Sequence, residues 1–597
     1  MACRIEGYAL LGDCRGAALV GENGSIDWLC LPRFDSDACF AALIGTPENG
    51  FWRIAPRSQV RQVRRRYRGV TLSLETELVC DEGAIVLTDF MPIGSDGPGL
   101  VRIVSGKSGA VPVRSELALR FNFGKTIPWV TRQVGGLEAI AGPDLLRLWT
   151  PAPLHGEQLR TTSDFVVRPG DRVPFVLRWA PSYVAERPLP IDADQALERC
   201  DASWQLWGER CRMDLPYADA IRRSILTLKA LTFVPTGGIV AAPTTSLPEK
   251  IGGVRNWDYR FCWVRDAVFT LYALITAGYQ EEARAFRDWL LRAAAGAPDQ
   301  LQVVYGIAGE RRLTEVELPW LSGYEGSLPV RIGNAATDQL QLDVFGEIAD
   351  TLFLSHITGL DHTEEGWALE RALLLYLEKA WREPDHGIWE VRGPRRHFVH
   401  SKVMCWVAFD RGVRSIELWG LDGPLDRWRR VRDEIHAEVC ERGIDPESGG
   451  FTQYYGSREP DASLLLLPIV GFLPPHDPRV VRTVANIERR LLWDGFVHRY
   501  ITHPNVDGLP ESEGAFLACS FWYVEALVLL GRHEEARAHF ERLLGVANDV
   551  GLLAEEYDPR TKRLLGNFPQ ALSHVALVNA AMHLSRVSGP TLPPREC

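Results

Sequence analysis

The segment Asn256–Leu274, NWDYRFCWVRDAVFTLYAL, brings aromatic rings and two acid–base neighbours together: Asp258 beside Arg260, and Arg265 next to Asp266. An apolar run at helical spacing follows. A pyranose stacks its faces on rings and has its hydroxyls clamped by a carboxylate and a guanidinium, so this composition suits a sugar site. A plainer reading fits the same residues. Asp266 stands where a helix N-cap would, ahead of Ala267, Phe269, Leu271, Tyr272 and Ile275, and the charges then form a structural ion pair.

Three further segments carry candidate groups. Trp320–Glu347 is a Gly-rich loop with Trp320, Tyr324, Arg331 and Asn334, leading into a helix. It lacks GxxxxGK[ST] and any strand–GxGxxG context, which argues against a phosphate loop. In His386–Asp410, Glu390 directly follows Trp389. A bulky indole desolvates a neighbouring carboxyl and raises its pKa, as a general acid requires; the alternative is a salt bridge to Arg392, Arg395 or Arg396. Gly551–Ala581 offers Glu555 and Glu556 at the end of an apolar stretch. His386, His397 and His400 lack further ligands at metal-site spacing, so core histidines are expected and no metal or other cofactor. GxSxG is absent, and no Ser or Cys has a nucleophile context. Two carboxylates with stacking rings are the equipment of glycoside hydrolysis.

Something must position these groups. The chain has 597 residues, 46% apolar and 24% charged, which suits a soluble globular protein of two domains. A net charge of −11 argues against a nucleic-acid partner. No apolar run reaches the roughly 18 residues of a membrane span, and MACRIEGYALLGDCRG lacks a secretory pattern. Twelve scattered cysteines without CxxC point to reduced thiols and a cytoplasmic location. Nineteen tryptophans suit either carbohydrate binding or a large helical core.

Residues 1–190 read as an antiparallel β-sandwich. Leu117, Leu119, Phe121 and Phe123 alternate as in a half-buried strand. Phe165 and Val167, then Val173, Phe175, Leu177 and Trp179, flank Pro169-Gly170-Asp171 as a hairpin, and Asp81-Glu82-Gly83 marks a second turn. Residues 191–213 read as a helical linker. Residues 214–590 read as helices joined by long loops. Ile221, Ile225 and Leu228 mark one helix face, and Leu340, Val344 and Ile348 another. Further helices are expected near 282–295, 364–380, 423–442, 478–491, 514–530, 533–546 and 570–586. Helices with functional residues in their loops fit a toroid of helical hairpins.

Long stretches in order, YALLGDCRGAALVGENGSIDWLCLPRFDSDACFAALIG, RNWDYRFCWVRDAVFTLYAL, GYEGSLPVRIGNAATDQLQLDVFGE, GIWEVRGPRRHFVHSKVMCWVAFDR, EGAFLACSFW and LLGNFPQALSHVALVNAA, cover nearly the whole chain. They resemble glycoside hydrolase family 15, the glucoamylase, glucodextranase and prokaryotic trehalase family. The resemblance implies an N-terminal β-sandwich, a helical linker and a C-terminal (α/α)6 barrel. It also implies single-step inverting release of β-glucose from the non-reducing end of a small α-glucoside. On GIWE it puts the general acid at Glu390, and on the later motif the general base at Glu555. Glu556 occupies the place of a glutamine in many relatives and stands as the alternative base. Arg265 and Asp266 match the pair that grips the first glucose, and Trp263 and Tyr259 match aromatics of that pocket. Trp320, Tyr324, Arg331 and Trp389 are further binding candidates. The carboxyls are expected roughly 6.5–9.5 Å apart, with a water between. Trehalose is the leading substrate, followed by malto- or isomalto-oligosaccharides; a disaccharide phosphorylase and a non-catalytic sugar binder are readings of other classes.

Overall fold

The computed structural model describes residues 2–94, 97–211, 215–360, 363–510 and 513–586. The expected junction at 212–214 and the end at 587–590 lie outside them. Two eight-stranded antiparallel sheets fill the N-terminal part. The turn at Asp81–Glu82 is present: Leu74–Cys80 and Gly83–Phe90 pair with Cys80 opposite Gly83. Only glycine fits there, because φ is +144° and a Cβ would lie 2.0 Å from the Ser108 carbonyl oxygen.

Two expectations need correction. Pro169-Gly170-Asp171 does not close a hairpin. Arg160–Val167 pairs with Val111–Ala118 in one sheet, and Arg172–Pro181 pairs with Gly99–Gly109 in the other. Turn chemistry dictates the reversal but not which strand receives the ladder, and here the chain passes between sheets. The alternating run 117–123 is not one strand either. The strand stops at Ala118, and Asn122 and Phe123 have φ of +51° and +52°. The four side chains are buried, but a loop closed between Phe121 and Thr126 buries the last of them.

Helix α1 (Ala193–Gly208) begins at Asp192, whose carboxylate accepts from Gln195 N–H at 2.9 Å. Its Trp207 stacks on Tyr279 with ring centroids 4.1 Å apart, which joins this linker helix to the helices that follow. These are α2 (Ala218–Ala230), α3 (Ala267–Thr276), α4 (Gln280–Ala294), α5 (Asp343–Ile357), α6 (Glu364–Ala380), α7 (Val399–Trp419), α8 (Leu425–Arg442), α9 (Pro478–Arg490), the single turn α10 (Pro504–Asp507), α11 (Leu517–Leu529), α12 (His533–Leu544) and α13 (Ala571–Arg586). Contacts run α3–α5–α7, then through the 3-10 turn Ala462–Leu466 to α11, α13 and back to α3. That is the closed inner ring of an (α/α)6 barrel, with a short turn as its fourth inner member. α2, α4, α6, α8, α9 and α12 pack outside.

Inner helices are buried almost all round and carry no polar stripe. This explains why α7 has no clear periodic signal. Its Lys402 and Arg411 are buried but satisfied: Lys402 Nζ donates to the Glu383 carbonyl at 2.6 Å, and Arg411 contacts Asp350 and Asp410, each at 2.6 Å. Leu340 lies ahead of α5, which starts only at Asp343; its carbonyl takes the His386 N–H instead.

The loop between α2 and α3 carries the motif 256–266. Its buried Arg260 donates to Asp258 at 2.9 and 2.7 Å and to the Ser36 carbonyl, in the sheet region, at 2.9 Å. The Arg260 guanidinium also lies 5.2 Å from the Phe123 ring centroid. Replacing Arg260 by Met leaves Asp258 a buried, uncompensated charge. Urea unfolding is expected to show a loss of about 3–5 kcal/mol.

Candidate active site

A cavity opens among the loops at one end of the barrel. Trp263, Arg265, Asp266, Glu390, Trp389 and Tyr259 all line it. Trp263 is fixed by the two-residue strand Cys262–Trp263, paired with Val304–Tyr305. Its indole N–H donates to Glu390 Oε1 at 2.6 Å. Arg265 Nη1 reaches the same oxygen at 3.1 Å and the Ile388 carbonyl at 2.5 Å, while its Nε lies 3.3 Å from Asp266 Oδ1. Asp266 precedes α3 but makes no cap bond. Its carboxylate turns to Arg265, so within the plainer reading the ion pair is present and the side-chain cap is not. Glu390 itself has φ of +58°, a left-handed conformation costing roughly 1–2 kcal/mol for a non-glycine residue.

Glu555 is buried against the cavity wall and meets it through Tyr259, whose hydroxyl donates to Glu555 Oε1 at 2.6 Å. Asn567 N–H donates to Oε2 at 3.2 Å. Gly566 makes room for this carboxylate, since a Cβ there would lie 2.4 Å from Oε2. The Tyr259 and Trp263 rings touch edge-on, with centroids 5.2 Å apart at 66°. Glu390 and Glu555 are therefore held by the polar tips of two rings in mutual contact.

Glu556 points elsewhere. It accepts from Gly514 N–H at 2.7 Å and lies 3.4 Å from Arg499. Arg499 also contacts Glu249 at 2.8 Å and Glu513 at 2.6 Å. The oxygens of Glu249, Glu513 and Glu556 lie within 4.8 Å of one another, but a guanidinium already supplies the cation among them. Burial first, and then the Glu249 charge, push the Glu555 carboxyl up to about 8. Burial likewise raises Asp266.

Other expectations fare differently. Trp389 lines the cavity but its indole N–H is tied back to Asp461 at 2.9 and 3.0 Å. Glu390 has no salt bridge to the basic run that follows it: Arg392 forks onto Glu315 at 3.1 and 2.6 Å, and Arg396 turns to the Asn505 carbonyl. Trp320, Tyr324 and Arg331 do not line the cavity. Trp320 donates to the Phe123 carbonyl and lies under Lys125; Tyr324 donates to the Cys3 carbonyl; Arg331 donates to the Val254 carbonyl and packs on Trp257. All three brace the loop against its surroundings. Among the described residues His386, His397 and His400 join no cluster of ligand atoms; His400 is fully buried, which pushes it down to about 3. The sequence reading missed the lining residues Glu249, Arg255, Trp257, Arg499, Asp507 and Trp522. Trp257 lay inside the motif and its ring alone could have flagged it. The pairing of Arg499 with Glu249 has no local signal, because the two are 250 positions apart.

A family profile described as glycosyl hydrolases family 15 matches residues 216–582, and one described as trehalase-like, N-terminal, matches residues 1–185. A trehalase of Mycobacterium tuberculosis is 39% identical over 98% of this chain and 90% of its own. A trehalase of Thermoplasma acidophilum is 36% identical over 95% of this chain and 98% of its own. An isomaltose glucohydrolase of Kribbella flavida is 28% identical over 44% of this chain and 65% of its own. The fold is that of a bacterial glucoamylase solved with acarbose, with a TM-score of 0.72, 13% identity, and coverage of 98% of this chain and 94% of that one. Among the described residues no helix is long and apolar enough to cross a membrane.

The raised Glu555 carboxyl has a consequence for stability. The fold favours its protonated form, so its contribution is complete below the ordinary glutamate range and is lost as pH rises towards about 8. Wild type should therefore lose stability relative to Glu555→Gln across this window, at a slope approaching about 1.4 kcal/mol per pH unit. Urea unfolding of both proteins between acid and mildly alkaline pH checks this.

Proposed function

The chain belongs to glycosyl hydrolases family 15, and we propose that this glycoside hydrolase cleaves trehalose by a single inverting displacement. The observation that carries the proposal is the pair of carboxylates, Glu390 and Glu555, held from adjoining rings at the edge of one cavity. Glu390 is the general acid. Its contacts with Trp263 and Arg265 both fall on Oε1, which leaves Oε2 to hold a proton towards the glycosidic oxygen. Glu555 is the general base and takes a proton from water on the opposite face. The water oxygen bonds to the anomeric carbon as the bond to the leaving glucose breaks. Arg265 and Asp266 clamp the hydroxyls of the first glucose, and Trp263 and Tyr259 form its walls, which fixes the anomeric carbon between acid and base. Glu556 is engaged with Gly514 and Arg499, which supports Glu555 as the base.

Trehalose is favoured because relatives named trehalase align over nearly the whole chain. Hydrolysis of an isomalto- or malto-oligosaccharide is the second reading, supported by the partial match to an isomaltose glucohydrolase. We divide the chain into a sandwich (1–190), a linker (191–213) and a catalytic barrel (214–590). The described cysteines are free thiols, which supports a reducing, cytoplasmic setting.

Inversion at one carbon of an α,α-linked disaccharide releases one β-glucose and one α-glucose. NMR of the first-formed anomers should show them in equal amounts from trehalose, with slower turnover of maltose and isomaltose. Two α-anomers, or strict dependence on phosphate with glucose 1-phosphate formed, would overturn the reading. Glu390→Gln and Glu555→Gln are each expected to lower kcat by about 10²–10⁴-fold.

Because Glu249 is the leading charge that raises Glu555, Glu249→Gln should move the acidic limb of kcat/KM to lower pH. An unmoved limb would remove Glu555 from the base position.

A further inference from the structure

A second cavity of about 620 Å³ lies on the other side of the catalytic wall. That size is in the range of small-molecule sites. Glu249 lines both cavities. On the catalytic side its Oε1 accepts from Trp257 Nε1 at 3.1 Å, and its Oε2 accepts from Arg499 at 2.8 Å. Tyr500, in the second cavity, stacks near Trp389 of the first with centroids 6.4 Å apart. The partition is thus one layer of side chains thick.

The chemistry of this second cavity is specific. Its lining includes Ile251, Leu491, Ile501 and Leu565. Trp493 stands at its edge, 61% exposed, steadied by an edge contact with His498 at 5.7 Å. An indole left open at the mouth of a cavity is an apolar platform with a polar tip. Acidic and basic side chains around it are equal in number, Glu249, Glu513, Asp494 and Asp558 against Lys250, Arg490, Arg560 and Arg563. Burial lowers His498 below its usual range, so it adds no charge at neutral pH. Such a lining offers no net attraction to an ion. It offers many donors and acceptors around a flat ring, which matches a neutral polyhydroxylated molecule.

We infer that this cavity is a second saccharide site, filled by glucose, whose occupancy is felt at Glu555 through Glu249. Binding needs only the cavity; the kinetic effect rests on the reading of Glu555 as the base. Burial raises the Glu249 carboxyl, and a sugar hydroxyl donating to it stabilises its charged form. More negative charge beside Glu555 holds its proton on, and the base is withdrawn. The site therefore acts as product inhibition from outside the catalytic cavity.

Calorimetric titration with glucose, alongside trehalose hydrolysis at several glucose concentrations, tests this on wild type, Trp493→Ala and Thr561→Trp. The last variant fills the cavity from a residue on its exposed lining. Wild type should bind two equivalents of glucose and show mixed inhibition, with kcat falling as KM rises. Either variant should bind one equivalent and show purely competitive inhibition, with unchanged kinetics in the absence of glucose. One equivalent in wild type, or two in both variants, overturns the site. Two equivalents with purely competitive inhibition in wild type overturns the link to Glu555. If no glucoside is hydrolysed at all, the stoichiometries still decide whether the site exists.

Discussion

The buried Asp258–Arg260 pair is the contact on which the functional end of the barrel depends. A buried ion pair repays its desolvation only when its remaining hydrogen-bonding capacity is used. Here it is used in full view of the site. Asp258 Oδ2 also accepts from Gly333 N–H at 3.0 Å, and Arg260 spans to the Ser36 carbonyl and the Phe123 ring. One pair thereby pins three things: the sheet region, the glycine-rich loop before α5, and the strand–loop that carries Tyr259, Trp263, Arg265 and Asp266. The sheets need supply no residue to the cavity to matter for it. They supply the anchor of the segment that does.

From that anchor the two carboxylates are held in different ways. Glu390 sits in a left-handed turn and shares one oxygen between an indole and a guanidinium. Glu555 is sunk in the wall, tied to a phenol and a backbone N–H, and surrounded by further glutamates whose charges Arg499 and Arg255 offset. The two carboxyls thus sit in unlike surroundings, one against a guanidinium and an indole and the other buried among acids. Burial and the Glu249 charge favour the neutral form of Glu555.

Much of this was legible in the sequence, for local reasons. The cavity-lining residues Tyr259, Trp263, Arg265 and Asp266 lie within one motif, and Glu390 stands next to a tryptophan that marks its turn. Amphipathic outer helices such as α4 and α9 announce themselves by period. What was hidden depends on distance or on full burial. α7 is buried all round as far as Val413, so its polar residues mimic a loop. The arch at Pro169–Asp171 looks like a hairpin because strand choice is not a local property. Trp320, Tyr324 and Arg331 have the right chemistry for a sugar, but the loop turns them into braces. Arg499 and Glu249 meet only because the barrel closes.

The central claim is that the 256–266 segment grips the first glucose so that its anomeric bond lies between Glu390 and Glu555. A crystal structure of the Glu390→Gln variant soaked with trehalose tests it most directly. The account predicts the glycosidic oxygen within about 2.6–3.2 Å of the side chain at position 390. It also predicts Arg265 and Asp266 on the hydroxyls of one glucose, and a water at Glu555 on the opposite face of that ring. A sugar that leaves Arg265 and Asp266 untouched, or that puts both carboxylates on the same face, would contradict it.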